Sequence, residues 1–455
     1  MSTKPQIAYG HQGSWEAYEK ELKVEYRQCV EEGKDIEPYR ALFESVAQMP
    51  PSIHKAQLAD VLYDLQQTLP QRPDYAYREP DDLEEIRALR PEWKQPKQQR
   101  TDRDEMADSV LGAWLGRTCG CLLGKPIEGI RSKDLYPLLK ESGNWPLQRY
   151  IVSSDISQER KEADEFFTEP HRQCWADLVE SAPSDDDTNY TVLYQLIIEK
   201  YGRDFTPEDV QAAWIEYQSK NAYCTAERVA YCNTVKGYRG HDAALWHNPY
   251  REWIGAQIRG DYFGYINPGN PELAAEMAWR DASISHVKNG IYGEMFAAAM
   301  IAQAAVETDL EQIVLAGLAQ IPATSRLYEA VMKVVDGWRS GLTQQACHEM
   351  IHTDWDENTS HGWCHTISNA MIVAMALLYG EGDYSRSICM AVQSCFDTDC
   401  NGATVGSVLG MRDGTKTVGD QWTAPIHGRL DTTIFGVGTV KLVDAAKKTM
   451  EHIAR

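Results

Sequence analysis

The sequence predicts an all-α protein, a large single-domain orthogonal helical bundle carrying an N-terminal helical extension. Two observations predict it. Apolar residues recur at helical spacing over 106–123, 191–201, 207–217, 271–285, 291–306, 325–339, 366–379, 384–394, 400–411 and 430–453. Short apolar alternations of the kind that mark strands are almost absent from the same stretch. Several of these segments are rich in Ala, Met and Leu with little charge on some turns, so they belong inside the bundle. No period of solenoid length repeats along the chain.

Taken from the N-terminus, residues 1–103 differ from the rest. Helical patterns over 15–32 and 36–48 are separated and followed by charged, proline-rich connectors. These are Pro50-Pro51, the run PQRPDYAYREPDD from Pro70, and RPEWKQPKQQRTDRD from Arg90. Proline lacks a backbone N–H and holds the residue before it extended, so the connectors are not regular helix. The division expected is an extension with its linker over 1–103 and a main body over 104–455. Tyr75 and Trp93 suit a linker that packs. In the body, Gly112, Gly116, Gly120 and Gly124 form one row, and Gly402, Gly406 and Gly410 form a second. Glycine inside a helix costs about 1 kcal/mol relative to alanine. A spacing of four gathers the missing side chains into one stripe, which reads as a close crossing of two helices that brings their end loops together.

The 455 residues carry 45 Lys and Arg against 67 Asp and Glu, a net charge of −22. That balance argues against nucleic-acid binding and against docking on an anionic membrane surface. Hydrophobic residues at 43% and charged residues at 25% describe a folded globular chain. The longest apolar run, 370–378, falls far short of the ~20 residues that a membrane span requires. The first twenty residues lack the apolar stretch of a secretory signal. Eleven cysteines without CxxC pairs read as reduced thiols, and the location expected is cytoplasmic. The oligomeric state is not legible.

The chemistry sits in two acidic runs. Asp185-Asp186-Asp187 directly precedes one helical pattern, and Asp397-Thr398-Asp399-Cys400 opens the second glycine helix. One Asp at a helix start is an ordinary cap. Three in a row repel one another unless a cation neutralises them, and a second Asp-x-Asp in the same setting asks for the same explanation. Hard oxygen donors with almost no histidine nearby suit magnesium, manganese or calcium rather than zinc. Neither run has EF-hand spacing. Five carboxylates on two loops suit a two-metal centre.

Four blocks carry a resemblance to a known family: DSVLGAWLGRTCGCLLGKPIEG (108–129), SDDDTNYT (184–191), NPGNPELAAEMAWRDASISHVKNGIYGEMFAAAMIA (267–302) and AVQSCFDTDCNGATVGSVLG (391–410). Together and in this order they resemble the ADP-ribosylglycohydrolase family, the one including the dinitrogenase-reductase-activating glycohydrolase. The resemblance implies the all-α fold of that type, two Mg2+ ions with Mn2+ as an alternative, and hydrolysis at the anomeric carbon of an ADP-ribosyl or related ribosyl substrate. Carried over residue by residue, the family's Thr-Asp-Asp ligand motif falls on Asp185, Asp186 and Asp187, with aspartate in place of threonine. Its Asp-x-Asp-Thr motif falls on Asp397, Thr398, Asp399 and Cys400, with a thiol in place of the last hydroxyl. Glu128, which closes the first block, is expected to touch the substrate ribose or a bridging water. His286 matches a histidine near the substrate, and Gly290 and Gly293 would let the backbone approach it.

His365 and Asn369 are one turn apart, ahead of the second acidic run. They are candidates for the substrate pocket, although capping and core packing explain them equally well. Tyr262, Phe263 and Tyr265 read as packing anchors rather than a stacking platform. Asp397, Asp399 or Glu128 would take the proton of the attacking water. The partner expected is a small-molecule or ADP-ribosylated substrate, with no nucleic acid and no membrane. Two alternatives stand beside this reading: a glycosidase acting on a small free glycoside or nucleoside, and a non-catalytic ADP-ribose-binding protein of the same fold.

Overall fold

The two glycine rows build the centre of the fold. In the computed structural model, which describes residues 13, 15–96, 102–163, 165–169 and 173–454, the helices Arg103–Gly124 and Thr398–Asp413 run antiparallel. Their backbones touch along the whole stripe. A Cβ on Gly112 would lie 2.4 Å from the Gly410 carbonyl oxygen, on Gly116 2.2 Å from that of Gly406, and on Gly120 2.0 Å from that of Gly402. No side chain fits at such distances, which accounts for glycine at every contact. The register carries the C-terminal end of the first helix, Gly124, onto the start of the second at Thr398 and Asp399. Thr398 Oγ1 seals that end by donating to the Gly124 carbonyl at 2.9 Å.

Around this pair lie apolar helices with no solvent face. Every residue of Asn289–Ala304 and of Thr366–Tyr379 is buried. Ala, Met, Leu and Ile dominate both, which is the composition a helix surrounded by protein requires. Among the described residues, 24 α-helices carry the architecture, and no helix is long and apolar enough to cross a membrane. The strands are Arg429–Asp431 and Thr439–Lys441, paired antiparallel with Leu430 opposite Val440. They correct the helix expected over 430–453, which begins only at Leu442. Gly436 and Gly438, at φ 78° and 67°, turn the chain back between the strands. The ribbon also fixes the approach to the first acidic run. The Ala182 N–H donates to the Arg429 carbonyl, and the Asp431 N–H donates to that of Ala182, each at 2.9 Å.

The N-terminal segment has a small apolar cluster of its own. Phe43, Leu62 and Tyr63 come together from the helices Arg40–Ala47 and Ile53–Thr68. It is fastened to the rest by buried ion pairs. The Arg251 guanidinium lies 2.8 Å from Glu25 and 2.6 Å from Glu32, and Arg326 lies 2.8 Å from Glu79. Buried charges persist only when paired, so these contacts fix where the segment docks. The connector after Pro70 packs as its aromatics suggest: the Tyr75 hydroxyl donates to the Glu31 carbonyl at 3.0 Å. A short helix, Leu83–Ala88, interrupts it.

Candidate active site

The site forms where three chain segments end together. The first glycine helix runs out at Gly124 into Lys125, Pro126, Ile127 and Glu128. The second glycine helix starts at Thr398. The helix Asp186–Tyr201 starts beside them, capped by Asp185, whose side chain accepts from the Asp187 N–H at 3.0 Å. Oxygens of Glu128, Asp397 and Asp399 lie within 4.8 Å of one another. So do ligand atoms of Asp187, Asp399 and Cys400, and those of Cys121, Asp185 and Asp187. The two acidic runs, some two hundred residues apart in the chain, therefore converge on one place. Asp186 lines the same cavity, of about 310 Å3, together with Glu128, Asp185, Asp397, Asp399 and Cys400.

Each carboxylate is held by a different device. Arg117, on the first glycine helix and 1% exposed, donates to the Asp187 carbonyl at 2.7 Å and to its Oδ1 at 3.2 Å. A second arm of the same guanidinium lies 2.8 Å from Asp261. Lys125 Nζ lies 2.5 Å from Asp185 Oδ2. The extra negative charge at the first position of the run, where the resemblance expects threonine, thus has its own cation inside the protein. Asp397 follows two residues in the left-handed region, Cys395 at φ 61° and Phe396 at φ 55°. Side chains with a Cβ rarely adopt that conformation, so the turn stores strain that its surroundings must hold. Asn369 does much of the holding. Its Oδ1 accepts from the Asp397 N–H at 3.1 Å and from Asn401 Nδ2 at 2.8 Å. Its Nδ2 donates to the carbonyls of Trp363 and His365. The Trp363 indole N–H donates to the Phe396 carbonyl.

The cluster is short of positive charge. Burial, then the neighbouring carboxylates, push Asp186 and Asp399 well above the ordinary carboxylate range. Asp187 is pushed up by burial too, against the pull of Arg117. Burial also raises Asp397. Asp185 is the exception: burial raises it, but Lys125 outweighs that and holds it low. Cys400 is driven well above the ordinary thiol value by burial and then by Asp187, Asp397 and Asp399, so it stays a neutral thiol. The half-charge of the helix start does not overcome three carboxylates. Asp187 Oδ2 is buried and has no hydrogen-bond partner. An orphaned carboxylate oxygen on a residue grouped with other carboxylates fits a hard divalent cation, and the oxygen donors fit magnesium or manganese better than zinc.

Other residues expected at the site lie elsewhere. His286 does not line the cavity. It is fully buried, with Nδ1 2.8 Å from Ser285 Oγ, and burial followed by Arg259 keeps it neutral. Gly290 serves packing, since a Cβ there would meet the Arg251 carbonyl at 2.5 Å, and at Gly293 one would meet Thr366 Oγ1. His365 is a helix cap, its Nδ1 accepting from the Ile367 N–H, and its ring stacks on Trp355 at 4.6 Å. Asn369 acts behind the cavity, as a brace for Asp397. Tyr262, Phe263 and Tyr265 are core residues, as expected.

The sequence reading missed Lys125, Arg117, Cys121, Glu227 and the tryptophans 15, 253 and 363. Lys125 had a local signal, since it directly follows the last glycine of its row. Arg117 and Cys121 likewise follow Gly116 and Gly120 of that row, whereas nothing near Glu227 or the tryptophans in sequence marks what they face.

The model of one family, described as ADP-ribosylglycohydrolase, matches residues 102–452. A solved structure described as an ADP-ribosylglycohydrolase-related protein complex is similar in fold, with a TM-score of 0.51 at 17% identity. The match covers 77% of this chain and 99% of that one. No curated protein matches the chain. With the family match spanning the glycine helices, both acidic runs and every described residue lining the cavity except Trp15, the chain belongs to the ADP-ribosylglycohydrolase family and is a glycohydrolase of ADP-ribosyl type.

Proposed function

We propose that the protein is a divalent-metal-dependent glycohydrolase that cleaves the bond at the anomeric carbon of a ribosyl substrate. In this reading Asp185, Asp186, Asp187, Asp397 and Asp399 hold two Mg2+ ions, with Mn2+ as an alternative. The observation that carries it is the meeting of the two acidic runs, with ligand atoms of Asp187, Asp399 and Cys400 within 4.8 Å of one another, while the buried Asp187 Oδ2 has no hydrogen-bond partner. When bound, the metals supply positive charge that orients ribose hydroxyls and lowers the pKa of water.

The rest belongs to the protein. Glu128 is half-buried and faces the cavity, whereas Asp397 and Asp399 are enclosed. Glu128 is therefore the one of these three that water reaches most easily, and it takes the proton of the water that attacks the anomeric carbon. Asp397 and Asp399 stabilise the positive charge that develops on the ribose ring. Arg117 and Asn369 touch no substrate and act by fixing Asp187 and Asp397. Cys400 remains neutral and offers magnesium a poor ligand, so it borders the site without binding the ion. The described residues from 15 to 96 form an extension docked on the catalytic body, and the setting is cytoplasmic.

Assays of purified protein against ADP-ribosylated proteins, free ADP-ribose conjugates, nucleosides and simple ribosides, with Mg2+, Mn2+ or EDTA, test the reading. Metal-dependent release of a ribosyl group is expected. Calorimetric binding of ADP-ribose without turnover of any of these compounds would favour a binding protein instead.

A further inference from the structure

The loop that ends the first glycine helix serves two cavities. Glu128 lines the carboxylate cavity, and the next residue, Gly129, at φ 85°, turns the chain into a neighbouring cleft of about 270 Å3. Arg131, Lys133, Arg160, Phe166 and Phe167 line that cleft. The two cavities meet at Trp363. Its ring lines the first, and the Arg131 guanidinium from the second lies 4.8 Å from the ring centroid. Arg131 is near enough to act on the acidic cluster: burial raises Asp397, and Arg131 is among the groups that pull it back.

Arg131 has no counter-ion. Among the described residues its guanidinium forms no ion pair, and Nη1, shut off from solvent, has no hydrogen-bond partner. The other cations around the two cavities are committed. Arg117 is held by Asp187 and Asp261, Lys125 by Asp185, and Arg160 by Glu141. Lys133 alone is loosely placed, 4.0 Å from Asp134, with both side chains well exposed. A guanidinium partly stripped of water and without a carboxylate attracts an anion more strongly than an exposed or paired one. Its planar fork fits two phosphate oxygens at once. The start of the helix Ser132–Glu141 is not the attraction, since its first N–H already donates to Glu357 at 3.2 Å.

An ADP-ribosyl group carries two phosphates beside its ribose. In the glycohydrolase reading above, the metals are engaged by carboxylate oxygens and ribose hydroxyls. The helix start at Thr398 has no side-chain cap, but Asp397 and Asp399 flank it and oppose an anion there. Past Trp363 stands the one arginine of the two cavities that lacks a carboxylate.

Resting on that reading, we infer that Arg131 is a substrate-binding residue: it holds a phosphate of the ADP-ribosyl group in the cleft beside Trp363, with Lys133 assisting, while the ribose lies among the carboxylates. The carboxylate cavity then recognises the ribose, and Arg131 recognises what the ribose carries. A simple riboside lacks that second hold and is the poorer ligand.

The test compares the full wild-type chain with Arg131→Gln and Arg131→Lys, each checked for an unchanged melting temperature. Calorimetry measures the Kd of ADP-ribose in saturating Mg2+ and, separately, the Kd of Mn2+ without ADP-ribose. Loss of the charge-assisted contact should weaken ADP-ribose about tenfold or more in Arg131→Gln. Arg131→Lys, which keeps the charge, should stay within about threefold of wild type, and Mn2+ affinity should stay within about threefold in both variants. An unchanged Kd for ADP-ribose in Arg131→Gln places the phosphates on the metals or at Thr398 and overturns the inference. So does a parallel loss of Mn2+ affinity, which would show that Arg131 only props the site through Trp363. Equal weakening in Lys and Gln assigns the guanidinium to the base rather than to a phosphate, and no binding of ADP-ribose by wild type removes the inference outright. The glycohydrolase reading is judged apart, by the turnover assays above: turnover with a flat Arg131→Gln response sinks this inference alone. Absence of turnover sinks that reading, and the ADP-ribose titrations still decide what Arg131 binds.

Discussion

Gly120 and Gly402 meet backbone to backbone: a methyl group on Gly120 would lie 2.0 Å from the Gly402 carbonyl oxygen. The obstacle is main chain on a neighbouring helix, which cannot rotate away as a side chain would. Overpacking in a core costs about 1–3 kcal/mol, occasionally more, and Gly120→Ala should lie at the upper end or beyond. Urea denaturation measures the loss. A midpoint equal to that of wild type would show that the crossing is looser than described.

The same crossing delivers the carboxylates, so their mutual repulsion should be visible without metal. Asp186→Asn or Asp399→Asn removes one negative charge from a buried cluster that lacks enough cations. In EDTA both variants should melt at the wild-type temperature or above it. With saturating Mg2+ the wild type should gain stability through binding, and the variants should gain much less. Calorimetric melting with and without metal reads both effects, and full activity in both variants would contradict the ligand assignment.

Lys125 behaves in the opposite way. Its ammonium neutralises Asp185 at 2.5 Å, and Lys125→Met leaves that carboxylate buried and unpaired. Breaking one side of a buried pair costs about 3–5 kcal/mol. In EDTA the variant should therefore be destabilised, and Mg2+ should restore more of the loss than it adds to wild type. Equal stability of the two proteins in EDTA would mean that the pair does not form.

His365 gives a pH signature of its own. Burial lowers its imidazole to about 3, against the opposing pull of Glu31. The unfolded chain takes up its proton near the ordinary value of about 6.5. This contribution to stability is thus full above pH 6.5 and declines as pH falls toward 3, by about 1.4 kcal/mol per unit. Glu31, whose folded pKa is depressed through His361, contributes above its ordinary value and is lost only at lower pH. His365→Asn keeps an acceptor for the Ile367 N–H without titrating. Between pH 6.5 and 5 its stability should fall less steeply than that of wild type, as read by denaturant midpoints. Parallel curves would show that His365 is not held neutral.

How far the sequence revealed all this depends on the range over which each signal acts. The four-residue glycine spacing is local, and it disclosed the helix crossing and its consequence for the end loops. The acidic runs are local too, and their repulsion pointed to a cation. The ribbon at 429–441 overlaps the start of the apolar pattern over 430–453, while Gly436 and Gly438 decide the turn. His286 lies within a matching block but faces the core, since a motif fixes identity in sequence and not direction in space. The pairing of Lys125 with Asp185, sixty residues apart, and the reach of Trp15 into the cavity are properties of packing alone. No periodicity along the chain encodes either of them.

The central claim is that the two acidic runs form one metal centre, and anomalous diffraction from crystals soaked in Mn2+ tests it directly. The account predicts anomalous density in the cavity, bound by carboxylate oxygens from both Asp185–Asp187 and Asp397–Asp399, and its disappearance in Asp399→Asn. Density that touches only one run, or none in the cavity at saturating Mn2+, would contradict it.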